Sequence, residues 1–297
     1  MCRASGRSPL EIPAYLPSRP HAAMRTVTET VLINGAPGGS IEVGDRGLHY
    51  GDGLFETMAV HAGTVPHWAR HLQRLRRGCE RLGLPCPDGD RLQDEAQRLC
   101  ARQQRAVLKL ILTRGPGGRG YRPPEVPAPT RILSLHPWPD YPAGYRTEGV
   151  AVRWCTTRLG SNPGLAGIKH LNRLEQVLAR AEWEDAACAE GLMLDQQGRV
   201  VCGTMSNMFW VQAGVLYTPP IDDCGVAGVT RERVLECAQG QGQRCRQERV
   251  LPEDLSRADE VFLCNSLIGI WPVARLEGQR WQPGPVTARL ASTLDLP

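Results

Sequence analysis

Gly167-Ile168-Lys169-His170-Leu171-Asn172-Arg173-Leu174-Glu175 is the stretch on which the reading of this chain turns. It follows a loop of glycine and polar residues, Gly160-Ser161-Asn162-Pro163-Gly164. It opens an apolar stripe at helical spacing, Leu171, Leu174, Val177, Leu178 and Ala181, that predicts a helix ending near Gly191. A lysine between a glycine-rich loop and a helix stands where a side chain can reach into a cleft. Lys169 is also rare. The chain has 35 basic residues, and all but Lys109 and Lys169 are arginine. Where arginine supplies every plain positive charge, a retained lysine points to work that guanidinium cannot do, such as acting as an amine nucleophile. Lys109 has a blander reading. It lies in Val107-Leu108-Lys109-Leu110-Ile111, on the strand face opposite Leu108 and Leu110, and reads as a lysine snorkelling from a sheet.

Outward from Lys169, the chain is long enough for two domains at 297 residues. A charge of +4 is too mild to argue for a nucleic-acid partner. No apolar run reaches the roughly 18 residues of a membrane span. The best candidate, 261–273, is broken by Asn265, Ser266 and Pro272. The 11 cysteines are scattered with no CxxC pair, which reads as free thiols in a reducing cytoplasm. His67 and His71 sit four apart without the glutamate of a zinc motif and read as a helix face, so no metal is expected.

Residues 1–23 are rich in Arg, Ser and Pro and show no periodicity. They read as a disordered extension, either a transit peptide or sequence upstream of a start at Met24. An N-terminal α/β domain is expected over 24–140. It would hold strands at 31–35, 54–60, 106–113 and 130–135, with helices over 67–82 and about 90–104. Prolines and glycines mark a linker at 141–149. The C-terminal domain, 150–297, would start with a strand at 150–155. A meander follows at 192–194, 200–202, 208–211 and 215–217, then a helix at 230–239 and a buried strand at 260–264.

A lysine nucleophile implies a carbonyl partner, and the obvious one is pyridoxal phosphate. That cofactor needs a phosphate cradle, a group facing its pyridine nitrogen and a cation for substrate carboxylates. Gly225-Val226-Ala227-Gly228-Val229-Thr230 runs into a helix, so backbone N–H groups and the helix dipole converge on one spot. Thr230 adds a hydroxyl, or serves only as an N-cap. Asn265-Ser266 ends a buried strand and offers a second polar edge. The glycine loop 114–121 presents Arg119 for a carboxylate.

These pieces resemble the fold type IV family of pyridoxal-phosphate enzymes, and within it the aminodeoxychorismate lyase branch. The resemblance spans about 31–273. It rests on Gly167 to Glu175, on Asp45-Arg46-Gly47 with Tyr50-Gly51-Asp52-Gly53, and on Gly117-Gly118-Arg119-Gly120-Tyr121. Ser206-Asn207-Met208-Phe209, Gly228-Val229-Thr230-Arg231 and Ala258-Asp259-Glu260-Val261 also match.

The resemblance implies a two-domain α/β fold with the cofactor in the interdomain cleft, and a homodimer. It implies that Lys169 is the Schiff-base lysine and the base. Arg74, Val229, Thr230 and Ser266 would hold the phosphate. Arg119, Tyr121 and Asn172 would bind substrate. The implied reaction converts 4-amino-4-deoxychorismate to 4-aminobenzoate and pyruvate in folate biosynthesis. A branched-chain or D-amino-acid transaminase, or an impaired cofactor-binding relative, is the alternative. The sequence departs from the family at two places. Cys202 stands where a glutamate normally faces the pyridine nitrogen, and Leu174 where transaminases tend to carry tyrosine.

Overall fold

The computed structural model describes residues 30–294, so the extension 1–23 and the start at Met24 lie outside the described residues. The chain folds around two sheets. The first is five-stranded and antiparallel, in the order β2-β1-β5-β4-β3. Its strands are β1 (Val31–Ile33), β2 (Ala36–Pro37), β3 (Gly53–His61), β4 (Arg105–Thr113) and β5 (Thr130–Pro137). Alternation decides its faces. Leu54, Met58 and Val60 of β3 and Leu108, Leu110 and Leu112 of β4 pack into one core. Leu75 and Cys79 of α2 (Trp68–Leu82) and Leu92 and Leu99 of α3 (Gly89–Cys100) cover that face. The other face, with Phe55, Thr57, Lys109 and Ile111, carries no helix and stays half-buried. A short helix α1 (Arg46–Tyr50), capped by Asp45, leads into β3.

The second sheet has nine strands: β6 (Val150–Leu159), β7 (Cys188–Asp195), β8 (Val200–Gly203), β9 (Asn207–Gln212), β10 (Val215–Thr218), β11 (Cys245–Gln247), β12 (Glu260–Asn265), β13 (Gly269–Leu276) and β14 (Gln279–Arg280). It curls until β8, paired with β7, returns to β9 at one position, Cys202 opposite Asn207. Helices α5 (Val229–Gly240) and α7 (Pro285–Leu294) pack over β9, β12 and β13, and α6 (Pro252–Leu255) is a single turn.

Most expected elements form near their expected positions. The crossover between sheets, after Pro137 and before Val150, is packed rather than loose. Tyr141 and Tyr145 set their rings edge-on against Trp271 at 4.8 and 5.0 Å. The helix expected after Lys169 is the main correction. It forms only as α4 (Leu174–Arg180), well short of Gly191. Its stripe is outside the core: Leu174, Val177 and Leu178 are 75%, 60% and 61% exposed. No helix among the described residues is long and apolar enough to cross a membrane.

Candidate active site

The segment that carries Lys169 is held from both sides. Phe55 N–H donates to Lys169 O at 2.9 Å and Leu171 N–H to Gly53 O at 3.0 Å, so 169–171 extends the free edge of β3. On the other side Gly167 N–H donates to Gly225 O and Ala227 N–H to Gly167 O, each at 3.0 Å. Gly167 takes φ +83°, a left-handed conformation open to glycine at little steric cost. These main-chain bonds tie the lysine segment to both halves of the molecule.

Lys169 opens onto a cavity of about 410 Å³ between the two sheets. Its Nζ lies 4.3 Å from the centroid of the Phe55 ring. Burial lowers its pKa to about 7, helped by the positive charge of Arg74 and opposed by the negative charge of Glu56. About half of the amine is therefore neutral near pH 7, the form that attacks a carbonyl or takes a proton.

Arg74 lines the same cavity from α2. Its Nε donates to Glu56 Oε1 at 2.8 Å, and Nη2 donates to Glu56 Oε2. Nη1 donates to Ala227 O at 3.2 Å. A guanidinium has five N–H donors, so one remains on each terminal nitrogen for a ligand. Glu56 is buried between β3 and α2 and also meets His71 Nδ1 at 2.7 Å. Burial pushes the Glu56 carboxyl up, but the charge and hydrogen bonds of Arg74, with those of His71, bring it down to about 2. The carboxylate thus fixes the plane of the guanidinium and balances its charge inside the protein.

Next to Arg74 the cavity meets the start of α5. Gly228, its N-cap, makes no side-chain cap bond, so the first-turn N–H groups are open to a ligand. A Cβ at Gly228 would collide with Asn207 Oδ1, and Asn207 Nδ2 donates to Val226 O at 2.9 Å. Val229, Thr230 and Ser266 line this end. Asn265 Oδ1 accepts from Leu267 and Ile268 N–H at 2.8 and 2.9 Å and shapes the turn around Ser266.

The far wall is β8 and the loop into β9, with Cys202, Thr204, Met205 and Ser206. Burial, reinforced by Cys224 and Glu190 nearby, raises the Cys202 thiol far above its usual range, so it is neutral at pH 7. Behind the wall Glu190 accepts from Gly191, Thr204 and Met205 N–H at 3.0, 3.1 and 3.1 Å. It also accepts from the Thr204 and Ser206 hydroxyls at 2.5 and 2.8 Å. A half-neutral lysine, a guanidinium fork and a helix N-terminus at one end suit an aldehyde-bearing aromatic phosphate, which is what pyridoxal phosphate is.

Known proteins resemble this chain over most of its length. Residues 53–276 match the class IV amino-transferase model. The chain belongs to the class IV aminotransferase family. It is 38% identical to the aminodeoxychorismate lyase of Vibrio harveyi over 267 residues, 89% of this chain and 98% of that one. The crystal structure of 4-amino-4-deoxychorismate lyase from Pseudomonas aeruginosa superposes with a TM-score of 0.86 at 51% identity. That match covers 89% of this chain and 97% of the other. A putative branched-chain-amino-acid aminotransferase of Methanocaldococcus jannaschii is 33% identical over 84% of this chain and 88% of its own.

In this member of the family Lys169, Arg74, Cys202, Val229, Thr230 and Ser266 all line one cavity. Three residues named for substrate lie elsewhere. Arg119 is exposed, and Tyr121 is 84% exposed. Their glycine loop is not free. Arg46 donates to Gly120 O and Tyr121 O at 2.9 Å, and Gly120 N–H donates to Tyr50 Oη at 3.2 Å. Asn172 lines a neighbouring cavity, and its amide donates to Gly51 O at 3.2 Å.

Sequence reasoning set Lys109 aside, yet its Nζ stands 5.7 Å from the same Phe55 ring as Lys169. The scarcity of lysine was the signal that marks it. Arg173 also lines the cavity, with its Nε donating to His170 O at 2.9 Å, and burial lowers its pKa to about 10. Glu56 and Glu190 left no motif to find, and His71, read with His67 as a helix face, is instead buried against Glu56.

Proposed function

We propose that this chain is an aminodeoxychorismate lyase that binds pyridoxal phosphate and releases 4-aminobenzoate and pyruvate. Lys169 carries the reading, as a buried amine half-neutral near pH 7 beside a phosphate cradle. Likeness to two lyases over nine-tenths of the chain supports the lyase over the transaminases.

Arg74, the N–H groups at Val229 and Thr230, and the Ser266 hydroxyl would hold the cofactor phosphate, and Lys169 would hold its aldehyde end until the substrate amine displaces it and frees the lysine amine. When bound, the cofactor supplies an electron-withdrawing ring that eases cleavage of a substrate C–H bond. The neutral Lys169 amine takes the proton from the substrate ring carbon that bears the amine. The C–O bond to the enolpyruvyl group then breaks, and the electron pair of the lost C–H bond becomes part of the new aromatic ring. The departing enolpyruvate receives a proton from the Lys169 ammonium and becomes pyruvate. Arg173 and Lys109, positive groups at and beside the cavity, attract the substrate carboxylates.

A homodimer belongs to the proposal. Leu174, Val177 and Leu178 on α4 and Val43 and Leu48 around α1 are all at least 60% exposed. A second copy is the partner that buries them. In that pair Arg119, Tyr121 and Asn172 serve the partner's cavity. A cytoplasmic location is part of the same proposal.

The test is the purified chain with pyridoxal phosphate and aminodeoxychorismate, read by 4-aminobenzoate fluorescence. Formation above the uncatalysed rate is expected. Amino transfer to 2-oxoglutarate without 4-aminobenzoate would move the protein to the transaminases.

A further inference from the structure

Among the described residues, the lining of the main cavity contains no carboxylate. Arg74, Lys169 and Arg173 line it, and Lys109 Nζ stands 5.7 Å from the ring of Phe55, which lines it too. Among the described residues, the lining thiol and phenol are Cys202 and Tyr141, and burial raises the pKa of both. Two buried acids stand near, and both are committed elsewhere. Glu56 lies on the α2 side of β3, bound to Arg74 and His71. Glu190 lies behind the β8–β9 wall and is occupied by five donors.

A pyridine nitrogen keeps a proton inside a protein when an anion faces it, and gives it up when cations surround it. Wherever such a ring lies in this cavity, the described side chains it can touch are cations or neutral groups. We propose that a pyridoxal-type ring bound here keeps its nitrogen unprotonated, in a lining that offers the Cys202 thiol and no acid, and that this makes the site selective for elimination over amino-group transfer. The inference rests on the cofactor reading above and deepens it.

The selectivity follows from where the electrons go. Amino-group transfer leaves the pair from the broken C–H bond on the cofactor until a proton arrives at a new carbon, so it depends on a strongly electron-poor ring. Elimination of enolpyruvate passes the pair directly into an aromatic product, and the departing oxygen takes the bonding electrons of the C–O bond. A neutral ring suffices for the second and handicaps the first.

The experiment uses full-length holoenzyme carrying pyridoxal phosphate labelled with ¹⁵N in the ring, read by ¹⁵N NMR near neutral pH. The bound signal is expected at the downfield position of an unprotonated pyridine. Cys202→Glu is expected to shift it upfield to the pyridinium position and to speed the amino-transfer half-reaction with an ordinary amino acid by about tenfold or more (about 1.4 kcal/mol). A wild-type signal at the pyridinium position overturns the proposal without any variant. A wild-type signal downfield that Cys202→Glu leaves in place overturns the role of Cys202. If no label binds and borohydride fixes none to Lys169, the cofactor reading itself fails, and that outcome is distinct from the other two.

Discussion

Two buried glutamates flank the cavity on opposite walls, and they do different work. Glu56 is paired with a guanidinium. Arg74 and His71 surround it, its carboxyl is held down to about 2, and its charge reaches Lys169. Glu190 has no cation among its hydrogen-bond partners. Five N–H and O–H donors surround it, and burial pushes its carboxyl above the usual range. The first acid therefore sets the charge of the lysine wall. The second holds the shape of the Cys202–Asn207 wall, and its charge acts through that wall on Cys202 and Tyr141. Neither carboxylate is part of the cavity lining.

The largest expected effect tests the lysine wall directly. Lys169→Ala should cut 4-aminobenzoate formation by on the order of a thousandfold or more. Lys169→Arg should fail as badly, because a guanidinium neither bonds an aldehyde nor gives up its proton at pH 7. Turnover within about tenfold of wild type in either variant would break the assignment.

Glu56→Gln comes next. The amide keeps the shape, but it loses the charge and presents N–H groups to Arg74 and His71. Cofactor affinity should fall about tenfold to a hundredfold, as for a broken charge-assisted pair. Pyridoxal, which lacks the phosphate, separates positioning from general damage. If Glu56 orients Arg74 toward the phosphate, the preference for pyridoxal phosphate over pyridoxal falls with the affinity. Equal losses for both would make Glu56 a packing residue. Glu190→Gln should act on shape instead. It turns an amide against donors at Thr204, Met205 and Ser206, at a cost of about 1–3 kcal/mol. Thermal unfolding should show that loss with the phosphate preference intact.

How much of this was legible beforehand depends on how local the signal is. The lysine, the phosphate arginine and the α5 cradle sit in short runs whose spacing and glycines announce a turn into a helix. Two other runs looked as clear, and their place in the fold depends on more than the run itself. The glycine loop around Arg119 reads like a binding loop, but Arg46 and Tyr50 fix its backbone away from the cavity of its own chain. The Leu171–Ala181 stripe reads like a buried helix, yet it yields the short α4 with its apolar side bare. Periodicity shows that a face is apolar, and it does not show whether the chain or a second copy covers it. Glu56 and Glu190 were invisible for a different reason. Each is a single acid in an apolar strand, and its meaning comes from partners 14 to 18 positions away in sequence.

Lys109 tests whether the positive field extends past Arg173. Lys109→Met keeps length and apolar contact and removes the charge. KM for aminodeoxychorismate should rise several-fold, about 1 kcal/mol, with kcat little changed, as for one partly solvated ion pair. An unchanged KM would return Lys109 to the snorkelling role its strand position first implied.

The smallest effect is the most discriminating between the two walls. Lys169 has a pKa of about 7, so addition of pyridoxal phosphate to the apoprotein should speed up as pH rises through about 7 and then level off. Burial is the main cause of that value, and the Glu56 charge opposes it by favouring the ammonium. Removing the charge in Glu56→Gln leaves burial and the Arg74 charge unopposed, so the pKa falls and the rising limb moves to lower pH, by about a unit or less. Glu190 is not among the groups that act most strongly on Lys169, so Glu190→Gln should move the limb much less. A limb that moves the same way in both variants would mean that the two acids act through the fold as a whole. A limb that moves only with Glu56 would show that the charge of the cavity is set from one wall.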